Sequence, residues 1–82
     1  MKILVNVSVP AVGESYDILI PDHLKIGAAI ALIAEAAEGL SGQRYTASGE
    51  ERLCSADKNT VLRPDLTVMG YGIRNGERLI LM

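Results

Sequence analysis

Residues 71–82, which read YGIRNGERLILM, combine a turn signal with the last apolar run of the chain. Asn75-Gly76 is a strong turn signal, because asparagine and glycine both tolerate positive φ angles. The run from Glu77 to Met82 predicts a final strand. The fold therefore has a strand that follows directly after a tight turn, and the rest of the sequence has to supply its neighbours.

The first third of the sequence predicts a β-hairpin. Lys2–Val9 alternates in the manner of a half-buried strand. Pro10 ends this strand, residues 12–15 supply the turn, and Tyr16–Ile20 forms the second strand. The residues expected to face inward on the two strands are Ile3, Val5, Val7, Val9, Tyr16, Ile18 and Ile20.

One α-helix is predicted after the hairpin. Asp22 offers a cap or a first-turn anion, the helix runs to about Glu38, and Gly39 stands where a helix stop belongs. An apolar stripe at helical spacing predicts the buried face. Its members are Ile26, Ala29, Ile30, Ile33 and Ala37. The opposite face carries Ala28, Ala31 and Leu32 beside only Glu35 and Glu38.

The remaining sequence predicts short strands and connections. Residues 40–49 form a polar connection, residues 52–55 a third strand, and residues 60–62 a fourth strand after a polar turn. Residues 66–70 predict an irregular or single-turn helical crossover. The resulting order, β-β-α-β-β-β, is that of an α+β protein. It fits the β-grasp architecture, a mixed sheet with one main helix packed across it, although several other α+β folds share this order.

Composition narrows the class of protein. An apolar share of 49% with a charged share of 22% is too hydrophobic for disorder, and the length suits one domain over residues 1–82. The net charge of −2 without a basic stripe argues against nucleic-acid binding. Cys54 is the only cysteine, which suits a reducing compartment. With neither a leader nor a spanning segment in view, we expect a cytoplasmic protein without direct membrane insertion.

No catalytic or metal-binding constellation is evident. Cys54 has only Arg52 as a nearby cation, and His23 lacks the companions that a metal site or a nucleophile relay needs. The adjacent glutamates at 50–51 and the two on the helix lack an apolar pocket that would raise a carboxyl pKa. We therefore expect a protein that is not an enzyme and that uses no cofactor and no metal.

Two stretches resemble ubiquitin-like proteins. Residues 1–7, MKILVNV, resemble the first strand of ubiquitin in their inward and outward pattern. Residues 67–73, TVMGYGI, resemble the TL-x-x-Y-x-I stretch of the ubiquitin-like family. The resemblance implies structural roles for Tyr71, whose hydroxyl would tie the crossover to nearby backbone, and for Ile73. Gly76 would serve the turn.

A closer resemblance is to the YukD/EsaB group, small bacterial ubiquitin-like proteins of type VII (WXG100) secretion systems. Residues 17–23, DILIPDH, with the helix positions Ile26 and Ile30, resemble that group's second strand and the start of its helix. Residues 71–79, YGIRNGERL, resemble its GI-x-NGDRL ending. The resemblance implies a cytosolic accessory component that binds proteins. Because related domains are fused to membrane subunits of such systems, its partners would include secretion-machinery subunits at the membrane.

Two alternatives stay open. Ubiquitin and the sulfur carriers of thiamin and molybdopterin synthesis act through a flexible tail that ends in Gly-Gly, whereas the predicted last strand runs to Met82. We therefore expect conjugation and sulfur transfer to be disfavoured. The first alternative is a sulfur-carrier or modifier relative whose tail is lost or supplied otherwise, and the second is a stand-alone regulatory adaptor unrelated to secretion.

Two surfaces are candidate sites for a protein partner. If Leu79 and Leu81 face the core, their neighbours on the last strand face outward. The apolar patch expected on the open sheet face consists of Leu4, Cys54, Ile80 and Met82. The second candidate face is that of Ala28, Ala31 and Leu32, where small side chains would let another helix approach closely. Weak self-association also stays open.

Overall fold

The computed structural model describes residues 1–82 and contains a five-stranded mixed sheet with one α-helix. The predicted element order and the α+β class are confirmed. The elements are β1 (Lys2–Val9), β2 (Glu14–Pro21), α1 (Ile26–Leu40), β3 (Leu53–Ser55), β4 (Thr60–Val61), a 3₁₀ turn (Met69–Tyr71) and β5 (Arg78–Leu81).

The strands lie in the order β2-β1-β5-β3-β4. β1 pairs with β2 in antiparallel fashion and with β5 in parallel fashion, and β5 also pairs with β3 in antiparallel fashion. Parallel neighbours cannot be joined by a tight turn, so a long crossover is needed between them. Here the connection from β1 to β5 includes α1, whose buried face packs in the same apolar cluster as the inner face of the sheet.

The core is almost entirely aliphatic. It contains 18 buried residues, and Tyr45 is the only aromatic residue among them. Val5, Val7 and Val9 on β1 are fully buried, as are Leu79 on β5 and Ile33 on α1. The predicted inward faces of β1 and β5 are therefore confirmed. On α1, Ile30 is only partly buried, whereas Ala34, which was not assigned to the stripe, belongs to the core.

The start of α1 differs from the prediction. Lys25 occupies the N-cap position without a side-chain cap, so the predicted role of Asp22 as a cap or first-turn anion is wrong. The Asp22 carboxylate lies 3.3 Å from the amino group of Met1 instead. The first helical N–H groups donate to backbone carbonyls of the segment between β4 and the 3₁₀ turn, Ile26 to Leu66 at 2.7 Å and Gly27 to Pro64 at 3.0 Å. These bonds satisfy donors that a capping side chain would otherwise serve.

The end of α1 also differs. The helix continues through Gly39 to Leu40 and is capped at Ser41, whose N–H donates to the carbonyl of Ala37 at 2.9 Å. The Ser41 hydroxyl donates to the carbonyl of Glu38 and accepts from the N–H of Tyr45 at 3.0 Å. After Leu40 the chain turns toward the buried Tyr45, and Ser41 supplies hydrogen bonds of that turn. The predicted stop at Gly39 is therefore wrong by one to two residues.

The strand bounds shift by small amounts. β2 is longer than the predicted 16–20, because its register with β1 is continuous from Val9↔Glu14 to Lys2↔Pro21. β3, β4 and β5 are each shorter than predicted by one or two residues. The crossover contains one 3₁₀ turn, as expected, although it begins at Met69 and not within the first residues of the predicted segment.

The Asn75-Gly76 turn joins the chain to β1 before β5 begins. The N–H of Leu4 donates to Asn75 Oδ1 at 2.7 Å, and the N–H of Gly76 donates to the carbonyl of Leu4 at 2.7 Å. Gly76 has a φ of +83°, a conformation that disfavours side chains. The predicted turn is confirmed, but it leads into a strand parallel to β1 and does not close a hairpin.

Tyr71 ties the crossover to the β4 side of the sheet. Its hydroxyl accepts a hydrogen bond from the backbone N–H of Arg63 at 2.7 Å, while its ring packs against the core. Ile73, two residues later, is buried in that core. Both residues are therefore placed where the structural roles implied by the resemblance would need them.

We predict that Gly76→Ala lowers the free energy of unfolding by about 1–2 kcal/mol, because an L-residue is strained at this positive φ. Space is not the cause, since a Cβ at Gly76 would meet nothing within 4 Å. Gly39→Ala is the matched control: it lies within α1 with open space around it and should add about 0.5–1 kcal/mol. Equal urea-unfolding midpoints for the two variants would contradict this explanation.

A second prediction concerns the hydroxyl of Tyr71. Tyr71→Phe should cost about 1 kcal/mol, because the N–H of Arg63 loses its acceptor while the ring stays in place. Tyr16→Phe is the control, since the Tyr16 hydroxyl donates to Glu14 at the surface and its loss should cost less than about 0.5 kcal/mol. Thermal and urea unfolding of both variants measure the difference, and a Tyr71→Phe protein as stable as the parent would be the contrary result.

Candidate functional site

One row of outward-facing residues crosses all five strands of the sheet. Cross-strand partners lie on the same face, so the pairings define the row. They are Ser15↔Ser8, Ser8↔Ile80, Ile80↔Cys54 and Cys54↔Val61. The apolar part of the row is therefore Ile80, Cys54 and Val61, on the β5-β3-β4 side.

Met82 extends this apolar part. The backbone of Met82 forms two hydrogen bonds with Arg52, N–H to carbonyl in each direction at 2.8 and 2.9 Å, so the pairing of β5 with β3 continues by one residue pair. Its side chain is 60% exposed and follows Ile80 on the same face. We call Cys54, Val61, Ile80 and Met82 the sheet patch. A hollow of about 190 Å³ in it is bordered by Cys54, Val61 and Ile80.

Leu4 does not belong to this patch, so its predicted contiguity with the other three residues is wrong. The residue of β1 beside Ile80 is Ser8, four positions further along the strand, which corresponds to about 13 Å. Leu4 instead faces Leu19 of β2, and both side chains are exposed. The parallel register of β1 with β5, which determines this placement, cannot be read from alternation within either strand.

Polar residues separate Leu4 and Leu19 from the sheet patch. Asn6 donates from Nδ2 to Asp17 at 3.0 Å, and Arg78, which pairs with Asn6 across the β1–β5 boundary, makes an ion pair with Asp57 at 2.7 Å. The backbone N–H of Arg78 also donates to Asp57, and these contacts lower the pKa of the Asp57 carboxyl. The outer sheet face thus has two apolar spots of different size with a polar band between them.

Val61 and Leu19 were not indicated as site residues by the sequence. Leu19 alternates with Ile18 and Ile20, so the hairpin register was a usable signal for its outward position. Val61 lies in a strand of only two residues, and its place beside Cys54 depends on a pairing that the local pattern does not specify.

The second candidate face is on α1. Ala28, Ala31 and Leu32 are exposed on the side of the helix away from the sheet, and Leu32 is 38% exposed. Glu35 continues the stripe at helical spacing, and the helix has no basic residue in its last turn. The structure therefore places these three residues together, as expected, on a surface with little apolar area besides Leu32.

An open groove of about 720 Å³ lies between α1 and the β4 edge. Ile30 of the helix, Arg52, Val61 and Leu62 border it, together with Pro64. Val61 is 51% exposed and belongs to both the groove and the sheet patch. The groove therefore adjoins the patch around the edge of the sheet.

The loop beside the groove is closed by Glu51. Its carboxylate accepts hydrogen bonds from the Tyr45 hydroxyl at 2.7 Å and from the N–H groups of Ser48 and Gly49 at 2.6 and 3.0 Å. The Tyr45 hydrogen bond is the main cause that lowers the pKa of Glu51 to about 2. Burial, and then the same carboxylate, raise the pKa of Tyr45 to about 12. This carboxylate holds loop backbone and is not available as a general base.

Glu77 forms a second ionic cluster that the sequence did not indicate. It is buried, and its carboxylate accepts from the Ser55 hydroxyl at 2.8 Å and from Lys58 Nζ at 2.9 Å. Ser55 Oγ in turn accepts from the N–H of Lys58 at 3.1 Å. A buried charge requires such partners, and these hold the β3–β4 turn against the start of β5.

The structure groups no three histidine, cysteine, aspartate or glutamate side chains as ligands for one metal ion. The single histidine, His23, lies exposed in the turn before α1, and Cys54 is a free, partly buried thiol within the sheet patch. The only α-helix, α1, lacks the length that a membrane crossing requires.

Comparisons with known proteins identify the family through a family model and the fold through solved structures. The family model for YukD, a protein of the WXG100 protein secretion system, matches residues 4–81. No curated protein matches the chain.

Among solved structures, the ubiquitin-like domain of Plasmodium falciparum Dsk2 is 19% identical, with a TM-score of 0.73 and 100% of each chain covered. The EccD5 ubiquitin-like domain from Mycobacterium xenopi is 20% identical, with a TM-score of 0.72, and covers 100% of this chain and 93% of its own. The ubiquitin of Caldiarchaeum subterraneum is 16% identical, with a TM-score of 0.73, and covers 99% of this chain and 91% of its own. At these identities the likenesses establish the ubiquitin-like β-grasp fold.

The Tyr45–Glu51 contact predicts a pH dependence with a defined sign. The folded state lowers the Glu51 pKa from 4.5 to about 2, so its contribution to stability is present above pH 4.5 and is lost as the pH falls toward 2. The folded state raises the Tyr45 pKa from 10.0 to about 12, so that contribution is lost as the pH rises through this interval.

Urea midpoints measured across the acidic interval test the Glu51 part. Glu51→Gln should cost about 1–3 kcal/mol at neutral pH and flatten the acid limb of the stability profile. Glu50→Gln is the control, because Glu50 is exposed and its side chain makes no hydrogen bond within the chain. If the acid limb of Glu51→Gln is as steep as that of Glu50→Gln, the assignment fails.

Proposed function

The chain belongs to the YukD family of WXG100 secretion-system proteins, and from that premise we propose that it is a non-enzymatic docking module of such a system. It acts in the cytoplasm as an accessory component and binds protein subunits of the secretion apparatus, including subunits at the membrane. The observation that carries this proposal is the family match over residues 4–81, which covers all of the fold except the first two residues of β1.

The distribution of charged groups supports a binding role over a catalytic one. Four side-chain ion pairs form within the chain, namely Lys58–Glu77, Arg78–Asp57, Arg63–Asp65 and Arg44–Glu14. The two carboxyl groups with lowered pKa, Glu51 and Asp57, hold backbone N–H groups. General acid–base chemistry needs a group with a pKa near the working pH and free access to a substrate. The groups named here are engaged within the chain, which favours recognition through its faces over acid–base chemistry.

We assign the docking role to the sheet patch. Cys54 and Ile80 lie on β3 and β5, whose inner neighbours Leu53, Leu79 and Leu81 are buried in the core. An apolar surface on such a rigid base loses little conformational entropy when a partner binds. The groove beside Val61 enlarges the concave area, and Arg52, which lies next to Met82, supplies a cation at its border. The helix face is the second candidate.

Covalent use of the chain as a carrier would make a different demand. The backbone of Met82 is paired with Arg52 through two hydrogen bonds, so this part of the chain could enter an adenylating active site only after that pairing opened. Incubation with ATP and a purified adenylating enzyme of the sulfur-carrier type, followed by intact mass measurement, is expected to leave the mass unchanged. An adenylate or thiocarboxylate on this chain would contradict the docking proposal.

We predict that Ile80→Asp and Val61→Asp each abolish co-purification of WXG100-system subunits from native cells, with an affinity loss of at least about 30-fold. Two variants are used because Ile80 is partly buried, whereas Val61 is half exposed, and circular dichroism must first show that both are folded. Leu32→Asp, on the helix face, and Leu19→Asp, on the other apolar spot, are the matched controls and should retain the partners.

The outcomes distinguish the surfaces. Loss of binding in Leu32→Asp alone would move the site to α1. Retention of every partner by the Ile80, Val61 and Leu32 variants would show that both proposed surfaces are wrong. Capture of no WXG100-system subunit by the parent chain, with other proteins captured in its place, would favour the stand-alone adaptor over the secretion role.

A further inference from the structure

We propose that Asn75 is a site of spontaneous deamidation and that the folded domain slows this reaction. The chain has three asparagines, and only Asn75 precedes a glycine; Asn6 precedes Val7 and Asn59 precedes Thr60. A β-branched residue obstructs attack by its own backbone nitrogen on the preceding side chain, whereas glycine, without a Cβ, does not. The sequence therefore concentrates this reactivity at one position.

The reaction uses groups within this dipeptide and water. The backbone nitrogen of Gly76 loses its proton and attacks Cγ of Asn75, a new N–Cγ bond closes a succinimide ring, and the bond from Cγ to Nδ2 breaks. Nδ2 leaves as ammonia, which takes up the proton. Water then opens the ring at either carbonyl, which gives aspartate or isoaspartate at position 75. No oxidant, reductant or metal is required.

In the fold, both reacting groups are engaged in hydrogen bonds with Leu4. The nucleophile, the nitrogen of Gly76, donates its N–H to the carbonyl of Leu4 at 2.7 Å. The electrophile is held by the same residue, because Asn75 Oδ1 accepts the N–H of Leu4 at 2.7 Å. Ring closure requires the nitrogen to lose its proton and Cγ to rotate toward it, so both hydrogen bonds with Leu4 must open first.

Solvent access is not the obstacle. Asn75 and Gly76 are exposed, and no atom outside residues 75–77 lies within 4 Å of where a Cβ on Gly76 would be. Water and hydroxide can therefore reach the dipeptide as soon as the turn separates from β1. The rate in the folded protein thus follows the population of a locally open state of the turn, which is a small fraction of molecules.

The two products have different consequences. Aspartate at position 75 still offers an oxygen to the N–H of Leu4, so the turn can close again. Isoaspartate adds a methylene to the backbone between positions 75 and 76. Two hydrogen bonds with β1 then cannot both be restored: that from the N–H of Gly76 to the carbonyl of Leu4, and that from the N–H of Asn6 to the carbonyl of Glu77 at 3.0 Å. Isoaspartate formation would therefore separate β5 from β1 at its first residues.

The test compares the folded chain with the same chain in concentrated urea at one mildly alkaline pH. Peptide mapping by mass spectrometry follows conversion of each asparagine. We expect deamidation at Asn75 only, at a rate at least about tenfold slower in the folded chain than in urea. Equal rates in the two states, or conversion of Asn6 or Asn59 as fast as Asn75 in urea, would overturn the proposal.

A second measurement concerns the products. The aspartate and isoaspartate forms separate by chromatography, and Asn75→Asp provides the aspartate form directly. The aspartate form should unfold near the parent's urea midpoint, whereas the isoaspartate form should unfold at a clearly lower one. An isoaspartate form as stable as the parent would show that the Leu4 pairing does not control this site.

Discussion

The parallel pairing of β1 with β5 joins two parts of the sheet that otherwise share no hydrogen-bonded strands. β2 pairs only with β1, and β4 pairs only with β3, so the five strands form one sheet because β5 lies between β1 and β3. The pairing brings Asn6 beside Arg78, residues far apart in sequence, and the chain entropy lost in closing that loop must be offset by the core it completes. The hydrogen bonds of Leu4 with Asn75 and Gly76 fix the register at which β5 begins.

β5 contributes both to the core and to the proposed docking surface. Leu79 and Leu81 are buried in the core, and the residue between them, Ile80, therefore points to the outer face beside Cys54. The buried Glu77, with Lys58 and Ser55, anchors the β3–β4 turn to the start of this strand. Three members of the sheet patch, Cys54, Ile80 and Met82, are thus carried by β3, β5 and the residue pair that extends them, next to the buried side chains of the core.

Much of the fold was predictable, because short-range patterns determine it. Alternation in Lys2–Val9 indicated the buried face of β1, and the Asn-Gly pair indicated the turn before β5. The apolar stripe indicated the buried face of the helix except at Ile30 and Ala34. The start of α1 was not predictable, since backbone carbonyls of Pro64 and Leu66 serve the helix in place of a side-chain cap.

The candidate surface was predictable only in part, for a related reason. The outward direction of Ile80, Cys54 and Met82 follows from alternation, but their neighbours depend on register between strands distant in sequence. Leu4 faces outward as expected yet lies beside Leu19, while Val61 joins the patch through a two-residue strand. The ionic cluster of Glu77 is likewise a product of tertiary packing, and no spacing in the sequence indicates it.

The most direct test of the account is to map the contact surface on the domain itself. Backbone amide chemical shifts of the isotope-labelled chain would be followed while a purified, soluble portion of a WXG100-system subunit is added. If the sheet patch is the docking surface, the largest shifts fall on residues 52–54, at Val61 and on residues 80–82, with α1 little affected. Shifts confined to α1, or no shifts with any subunit of the system, would contradict it.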